Sequence, residues 1–561
     1  MNMLNNSIVV QFKKIMKRDC LDDIKNFYID INPVYRRSFW ILFALINIVF
    51  SFYTINFFWG NHDWMSLITG RKLSAGVYEG RYGAFLISGL LTDNLYLPII
   101  STFWAFIALS LSSILLAIYW KIPQRISHFV IFGLILNITP YTVSWMWYAH
   151  WTVGIFWARV FIFASFILSD KFLNGTRTQK IWSNILAVLL LNISISTYQP
   201  LISTIIMVFI GRVLIDMLEW KSLKSGVIGT LKSKRYILLN SASAIIIYKI
   251  VFEYFKHIGR IQIDRYNIQT VSFNELLPQM VSCIKNTWQQ FTNFSTSFYP
   301  DILTKLFLVL AIVVILQILV MKKSYTLKVS IILTLFFSLF LTKFAVFMSS
   351  SMRYVMFATR MDFCGYVIFN SLIIALALKI KGFSQNLKIL LSITIIYLFM
   401  VNDLNAQRVL KFATDTEQMM LNRIQARLEN QLNFNLKNKY FILQLGRNFA
   451  VREKFYPVKN TFASEELLTH SLTPNWQPLV SSAFYNPEYI KKMLGSSNFT
   501  NSEFMSALKR LDEAGLLENA KAWPAENSII VYEDIILFIT DEKDLLKAKQ
   551  LLAEQNKKIK L

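Results

Sequence analysis

Charged residues are scarce in this chain. Only 16% of its 561 residues are Asp, Glu, Lys or Arg, while 54% are hydrophobic. An ordinary soluble domain carries about 25% charge. Cysteine is scarcer still. Cys20 falls on a basic N-terminal arm, Cys283 in a long loop and Cys364 inside an apolar run, so no disulfide framework or CxxC metal site is expected. The five histidines are scattered and form no HExxH pair, so a structural zinc is not expected either. Neither GxxxxGK[ST] nor GxGxxG occurs, which removes the usual phosphate loops of soluble ATP and nucleotide-sugar enzymes. Asp30-Ile31-Asn32 is too incomplete for a metal-binding DxD. No internal repeat is evident. Acidic residues are the rarer sign, 34 against 58 basic, giving a net charge of +24. On a soluble protein that excess would point to nucleic acid. Here the basic residues sit between apolar runs, where they orient a membrane chain and face anionic headgroups.

Apolar and aromatic residues are abundant. Mean hydropathy is +0.42, and 46 Phe, 24 Tyr and 14 Trp make the chain 15% aromatic, which suits lipid-facing helices with aromatic belts. Residues 1–38 are polar and basic, with Lys13, Lys14, Lys17, Arg18, Lys25, Arg36 and Arg37. The first apolar run starts at Phe39, later than a secretory signal would place it, so 1–38 reads as a cytoplasmic basic arm. A membrane-spanning helix needs about 20 mostly apolar residues. Eleven runs qualify: 39–58, 97–120, 127–144, 151–169, 182–197, 201–217, 237–253, 303–321, 329–347, 363–380 and 388–402. The run at 127–144 carries Asn137 and Pro140, and the pair at 182–217 is tight around Pro200.

Loop charge orients the runs. With the N-terminus inside, every inner loop is basic: Lys121 and Arg125; Lys171, Arg177 and Lys180; Lys221 to Arg235; Lys322, Lys323 and Lys328; Lys379, Lys381 and Lys388. The short outer loops near 145–150 and 198–200 carry no Lys or Arg, as the positive-inside rule requires. An odd number of spans then puts the C-terminal region outside, which is periplasmic in a Gram-negative cell. Two outer loops are long, 59–96 and 254–302. From 403 to 561 the composition is that of a soluble domain. It opens with helical spacing of Val409, Leu410, Phe412, Ala413, Met420, Ile424 and Leu428, then has strand-like runs at Tyr440–Leu445 and Ser528–Thr540 around a helical stretch at Glu503–Leu517. The expected fold is an α-helical polytopic membrane protein of about eleven transmembrane helices over 39–402, with a C-terminal extracytoplasmic α/β domain over 403–561.

Unusual polarity gathers on the outer side. The first outer loop reads Asn61-His62-Asp63-Trp64, then Gly70-Arg71-Lys72, then Tyr78-Glu79-Gly80-Arg81-Tyr82. Aromatic faces stack on sugar rings, Arg pairs with phosphate and a carboxylate takes a hydroxyl proton; the competing reading is a solvated loop anchored by Trp and Tyr. A second cluster is Lys343, Arg353 and Arg360. It suits a lipid phosphate, although Lys343 near a helix end also fits a side chain reaching the interface. The group Trp145, Trp147, Tyr148, His150 and Trp151, followed by Arg159, reads first as an aromatic belt. Ser196-Thr197-Tyr198-Gln199-Pro200 is a polar turn, or simply a helix stop at proline.

These residues together resemble the GtrII-like serotype-converting glucosyltransferases, membrane enzymes of the GT-C type. The resemblance is carried by Asn61-His62-Asp63-Trp64, by Gly80-Arg81, by the Tyr198-Gln199 turn and by the segment Ala522-Trp523-Pro524-Ala525-Glu526-Asn527-Ser528-Ile529. It departs from the family at His62, where a second acidic residue is usual. The resemblance implies an inverting transfer of glucose or a similar hexose from polyprenyl phosphate to a lipid-linked glycan such as O-antigen. Asp63 would be the base, with Glu79 in reserve. Substrate would be held by His62, Trp64, Arg71, Arg81, Tyr198, Gln199, Lys343, Arg353 and Arg360. No metal or other cofactor is required by that chemistry. The implied partners are the lipid-linked donor, the glycan acceptor, a small flippase and a polyprenyl-phosphate glucosyltransferase. A lipid-linked-sugar flippase and an O-antigen polymerase or ligase are the alternatives.

Overall fold

The computed structural model describes residues 29–56, 80–95, 97–146, 149–171, 176–261, 301–343, 363–381, 385–431, 440–445, 490–495 and 502–560, with single positions at 277–288, 434 and 438. The described residues before 430 are almost entirely helical: α1 (Pro33–Val49), α2 (Ser51–Ile55), α3 (Tyr82–Thr92), α4 (Pro98–Tyr119), α5 (Ile126–Asn137), α6 (Pro140–Met146), α7 (Ala149–Lys171), α8 (Arg177–Thr197), α9 (Leu201–Met217), α10 (Leu223–His257), α11 (Asp301–Val320), α12 (Tyr325–Leu341), α13 (Tyr366–Lys379) and α14 (Gln385–Glu429). The described residues of the eleven apolar runs fall mainly on helix. Among the described residues, five helices are long and apolar enough to cross a membrane, within α4, α7, α8, α10 and α14, and five further apolar helices are shorter.

Two of the runs are broken. The first splits at Phe50, where Ser51 Oγ donates to Ile48 O and Thr54 Oγ1 to Phe50 O. Hydroxyls that bond back to the preceding turn bend helices. The run at 127–144 splits before Pro140, which stands in the first turn of α6, where its missing N–H costs nothing. The long loop after the first run also holds more structure than its composition promised. Residues 82–92 form α3, apolar but too short to span, packed on α7 and α8. Helix starts follow local chemistry: Asn32 caps α1 ahead of Pro33, and Thr176 and Gln179 form a reciprocal capping box on α8.

Ion pairs gather the basic loops at one end of the bundle. Lys121 reaches Asp216 at 3.0 Å and Glu219 at 3.2 Å, and Lys379 reaches Glu219 at 3.0 Å. Lys323 donates to the Trp220 carbonyl at 2.7 Å, and Lys388 to the Ile380 carbonyl at 2.6 Å. Lys234 pairs with Asp170 at the end of α7. Partial burial raises the Glu219 carboxyl, but hydrogen bonds and charge from Lys379 and Lys121 outweigh it and hold the group below its usual value. The start of α7 and the turn from α8 to α9 lie at the other end, about 30 Å away along helices of this length.

Helix α14 runs unbroken from the bundle across 402–403 to Glu429. It leads into a four-stranded sheet of order β2-β1-β4-β3, with β1 (Tyr440–Leu445), β2 (Ile490–Gly495), β3 (Ile529–Tyr532) and β4 (Ile535–Ile539). β1 is parallel to β2 and β4, and β3–β4 is an antiparallel hairpin. β4 is buried on both faces, which explains its uninterrupted apolar sequence. One face packs on α15 (Ser502–Glu513) and α16 (Glu542–Lys560) through Leu508, Leu511, Leu545 and Leu552. The end of α14 meets the segment before β3. Arg427 donates to the Ala525 and Pro524 carbonyls at 2.9 and 3.0 Å and lies 4.4 Å from the Trp523 ring, and Gln431 donates to Ile529 O at 3.0 Å.

The split at Phe50 is covered by one buried amide on α14. Gln407 Oε1 accepts from the Tyr53 N–H at 3.0 Å, and its Nε2 donates to the Val49 carbonyl at 3.0 Å. Gln407→Leu keeps the bulk and strands both backbone groups in an apolar core. We expect a loss of about 1–3 kcal/mol, read as a lowered thermal midpoint of the detergent-solubilised protein; an unchanged midpoint would refute the bridging role.

Candidate functional site

Two stretches distant in sequence meet at the end opposite the ion pairs. The first is Gly80-Arg81-Tyr82, the entry to α3. Gly80 has φ +72°, and a Cβ there would stand 2.5 Å from the Phe252 ring of α10, so only glycine lets the chain turn this close. Two residues into the helix, a Cβ on Gly83 would meet the Ile193 carbonyl at 2.2 Å and Ser196 Oγ at 2.5 Å. Helix α3 is thereby seated on the last turn of α8. Tyr82 donates to Asn192 Oδ1 at 3.0 Å and its ring lies 6.2 Å from that of Tyr248 in a stacked arrangement.

The second stretch is the turn Tyr198-Gln199-Pro200 between α8 and α9. Tyr198 is extended at φ −157° and its carbonyl accepts from Leu201 N at 3.0 Å. Gln199 Nε2 donates to the Tyr248 hydroxyl at 2.8 Å. The Tyr198 ring stands edge-on to Trp145 at 5.0 Å. Between the stretches lies the Arg81 guanidinium, 5.3 Å from the Trp151 ring centroid and 5.4 Å from that of Tyr198. A planar cation held between two aromatic faces is a strong electrostatic contact when shielded from water.

The aromatic network continues inward. Trp145 meets Phe363 at 6.2 Å, and Phe363 meets Phe156 at 5.6 Å. Arg159 of α7 lies 4.6 Å from the Phe363 centroid; it is fully buried and none of its guanidinium nitrogens has a hydrogen-bond partner. On α14, Asp403 is likewise fully buried, and neither carboxylate oxygen has one. Charges so placed are costly in a membrane and mark functional positions by default.

Of the residues singled out from sequence, Arg81, Tyr198 and Gln199 come together here. Lys343 is buried just past α12; its neighbour Thr342 abuts Gly365, two residues after Phe363. His62, Asp63, Trp64, Arg71, Glu79, Arg353 and Arg360 lie outside the described residues, as do Trp147 and Tyr148. Trp145 is only 3% exposed, so it belongs to the bundle core rather than to a lipid-facing belt. Sequence reading passed over Tyr248, Asn192 and Asp403. Tyr248 and Asn192 sit inside long apolar helices with no motif around them. Asp403 had a signal, a carboxylate at the edge of an apolar run, and was assigned to the following domain. Among the described residues, no three His, Cys, Asp or Glu side chains stand close enough to hold a metal.

A bundle of apolar helices that keeps a guanidinium, stacked rings and amide donors at one end is built as a membrane protein. The chain belongs to the GtrII glucosyltransferase family: residues 50–361 match the family described as Glucosyl transferase GtrII. Among curated proteins and solved structures, none matches the chain. The matched region contains Arg81, Arg159, Tyr198 and Gln199; Asp403, Gln407 and the sheet lie beyond it.

The Arg81 clamp is testable by a charge-preserving change. Arg81→Lys retains the positive charge and loses the flat face and fork. Glucosyl transfer by the purified variant should fall about tenfold or more, equivalent to roughly 1.4 kcal/mol of transition-state stabilisation. Transfer at the wild-type rate would reduce the clamp to packing.

Proposed function

We propose that this chain transfers glucose, or a similar hexose, from a polyprenyl-phosphate donor to a lipid-linked surface glycan such as O-antigen, with inversion at the anomeric carbon. The reaction is placed on the outer face of a bacterial inner membrane, with the N-terminus cytoplasmic and the C-terminal α/β domain periplasmic. The observation that carries the reading is the meeting of Gly80-Arg81 with Tyr198-Gln199 around one stacked guanidinium, within the region matched to the family. The gathering of the basic loops at the far end supports the orientation.

In this reading Asp63 takes the proton of the acceptor hydroxyl as its oxygen attacks the anomeric carbon. The bond to the lipid phosphate breaks on the opposite face, and negative charge grows on the departing phosphate. Arg81 is assigned to that charge together with Arg353, Arg360 and Lys343, since fixed cations in a water-poor site act most strongly on charge that develops in the transition state. A phosphate leaves without a proton, so one carboxylate suffices and Glu79 is held in reserve. Trp64, Tyr198 and Trp151 offer faces for the sugar ring, with His62, Arg71 and Gln199 as polar contacts. The C-terminal domain is assigned to acceptor recognition. No metal enters these steps. A small flippase and a polyprenyl-phosphate glucosyltransferase are the proposed suppliers of the donor. The unpaired Arg159 and Asp403 inside the bundle are the observations that a flippase reading would use.

The decisive substitution is Asp63→Asn. It should lower transfer by about 10²–10⁴-fold, the usual worth of a general base, at normal protein level, with mass analysis of the surface glycan showing the hexose lost. A fully modified glycan would remove Asp63 as the base. A reporter fused at the C-terminus should read periplasmic, and a cytoplasmic reading would overturn the orientation.

A further inference from the structure

The basic end of the bundle contains a cavity that the proposed reaction does not use. It lies where α4, α7, α9 and α10 converge, has a volume of about 470 Å³, and is lined by Ile118 and Ile167 on its apolar side and by Tyr119, Asp170, Arg212 and Lys234 on its polar side. Arg212 and Lys234 are 8% and 5% exposed. Both stand over the ring of Tyr119, at 5.1 and 5.9 Å from its centroid. The Tyr119 hydroxyl is buried and has no hydrogen-bond partner.

The cations keep unused donors. Arg212 gives Nε to the two oxygens of Asp216 at 3.0 and 3.2 Å and one terminal nitrogen to the Tyr119 carbonyl. Its second terminal nitrogen is 3.8 Å from Asp170, too far for a hydrogen bond. Lys234 pairs with Asp170 through the ammonium. A guanidinium has five N–H groups and an ammonium three, so both retain N–H groups beyond these contacts. The ion-pair network around the cavity joins four cations, Lys121, Arg212, Lys234 and Lys379, to three carboxylates, Asp170, Asp216 and Glu219. Among the described residues, this network therefore carries one positive charge in excess.

We propose that this cavity binds the phosphodiester headgroup of an anionic phospholipid. A phosphodiester brings one negative charge, matching the excess, and acceptor oxygens for the Tyr119 hydroxyl and the spare N–H groups of Arg212 and Lys234. The isoleucine walls receive the glycerol and the first methylenes of the acyl chains. Basic pockets between membrane helices recognise lipid headgroups in this way. Free phosphate offers the same oxygens without the apolar tail, so the walls favour the lipid as its source.

The test uses the full-length protein in phosphatidylcholine nanodiscs. Short-chain phosphatidylglycerol, short-chain phosphatidylcholine and inorganic phosphate are titrated separately while the thermal midpoint is followed. Phosphatidylglycerol should raise the midpoint saturably, and the other two should not at the same concentrations. Tyr119→Phe removes only the hydroxyl and keeps the ring under both cations. It should fold normally and bind phosphatidylglycerol about tenfold more weakly, the cost of one hydrogen bond to a charged group. Native mass spectrometry should show fewer retained phosphatidylglycerol molecules on the variant. Equal responses to the two lipids, or a variant that titrates like the wild type, would overturn the proposal. An equal response to inorganic phosphate would overturn the lipid as the source and leave a phosphate site.

Discussion

A membrane-embedded chain must satisfy its backbone polar groups from within, because hydrocarbon offers no substitute for water. Among the described residues, side chains from other helices bond backbone groups at helix breaks and between neighbouring helices. Gln407 serves both sides of the break at Phe50. Thr204 of α9 donates to the Cys364 carbonyl at 2.6 Å, where the chain enters α13. Asn192 of α8 donates to the Ala244 carbonyl of α10 at 3.1 Å. Asn137 donates to the Leu109 carbonyl of α4 at 2.9 Å, just before the interruption at Pro140. These bonds join helices far apart in sequence, so they set tertiary register as well as satisfying local chemistry.

The candidate site inherits its geometry from that requirement. Asn192, which holds α8 to α10, also accepts from Tyr82 and so ties in the start of α3. Tyr248 receives Gln199 on its hydroxyl and Tyr82 on its face. One aromatic residue of α10 thus fixes the turn after α8 and the helix after the first loop. Arg81 is then set by backbone it does not control: Gly80 on one side, Gly83 two residues on, and the extended Tyr198 across from it. The clamp is thereby built from the N-cap of α3 and the turn after α8, with Trp151 supplied by α7 and Tyr248 of α10 behind them.

Much of the helical layer was legible because an apolar run about 20 residues long has few alternatives in a chain with so little charge. The runs at 201–217 and 151–169 fall on Leu201–Met217 and Ala149–Lys171. Breaks were less legible. Pro140 announced one, whereas Phe50 is an unremarkable residue whose helix bends because Ser51 and Thr54 bond back and Gln407 waits on a helix more than 300 residues later. Loop charge showed which turns would share an end, but not that Asp216 and Glu219 would join them into a network. Gly80-Arg81 and Tyr198-Gln199 could be named from their motifs. Their meeting could not, since it depends on Tyr248, an ordinary aromatic in a long helix. Helix α3 was hidden by its length: a largely apolar stretch of eleven residues reads as loop when the template is a span, and its packing on α7 and α8 is a tertiary fact.

Charge is treated differently at different depths of the bundle, and the difference has a physical logic. At the basic end Lys121 and Lys379 share the exposed Glu219, and the buried Arg212 and Lys234 share Asp170, so each of these cations has a carboxylate beside it. Arg159 and Asp403 are fully buried on separate helices, and their guanidinium and carboxylate atoms have no hydrogen-bond partner. Had the fold needed only stability, an apolar residue of similar volume would serve as well as a buried pair and far better than a buried single charge. The guanidinium of Arg159 is instead laid on Phe363, whose ring provides attraction without neutralising the charge. A cation supported in this way keeps its hydrogen-bonding capacity uncommitted. Phe363 touches Trp145, Trp145 touches Tyr198, and Tyr198 carries Arg81, so two stacked guanidiniums stand at the ends of one aromatic chain. Such a chain carries positive potential from the turn after α8 into the interior of the bundle.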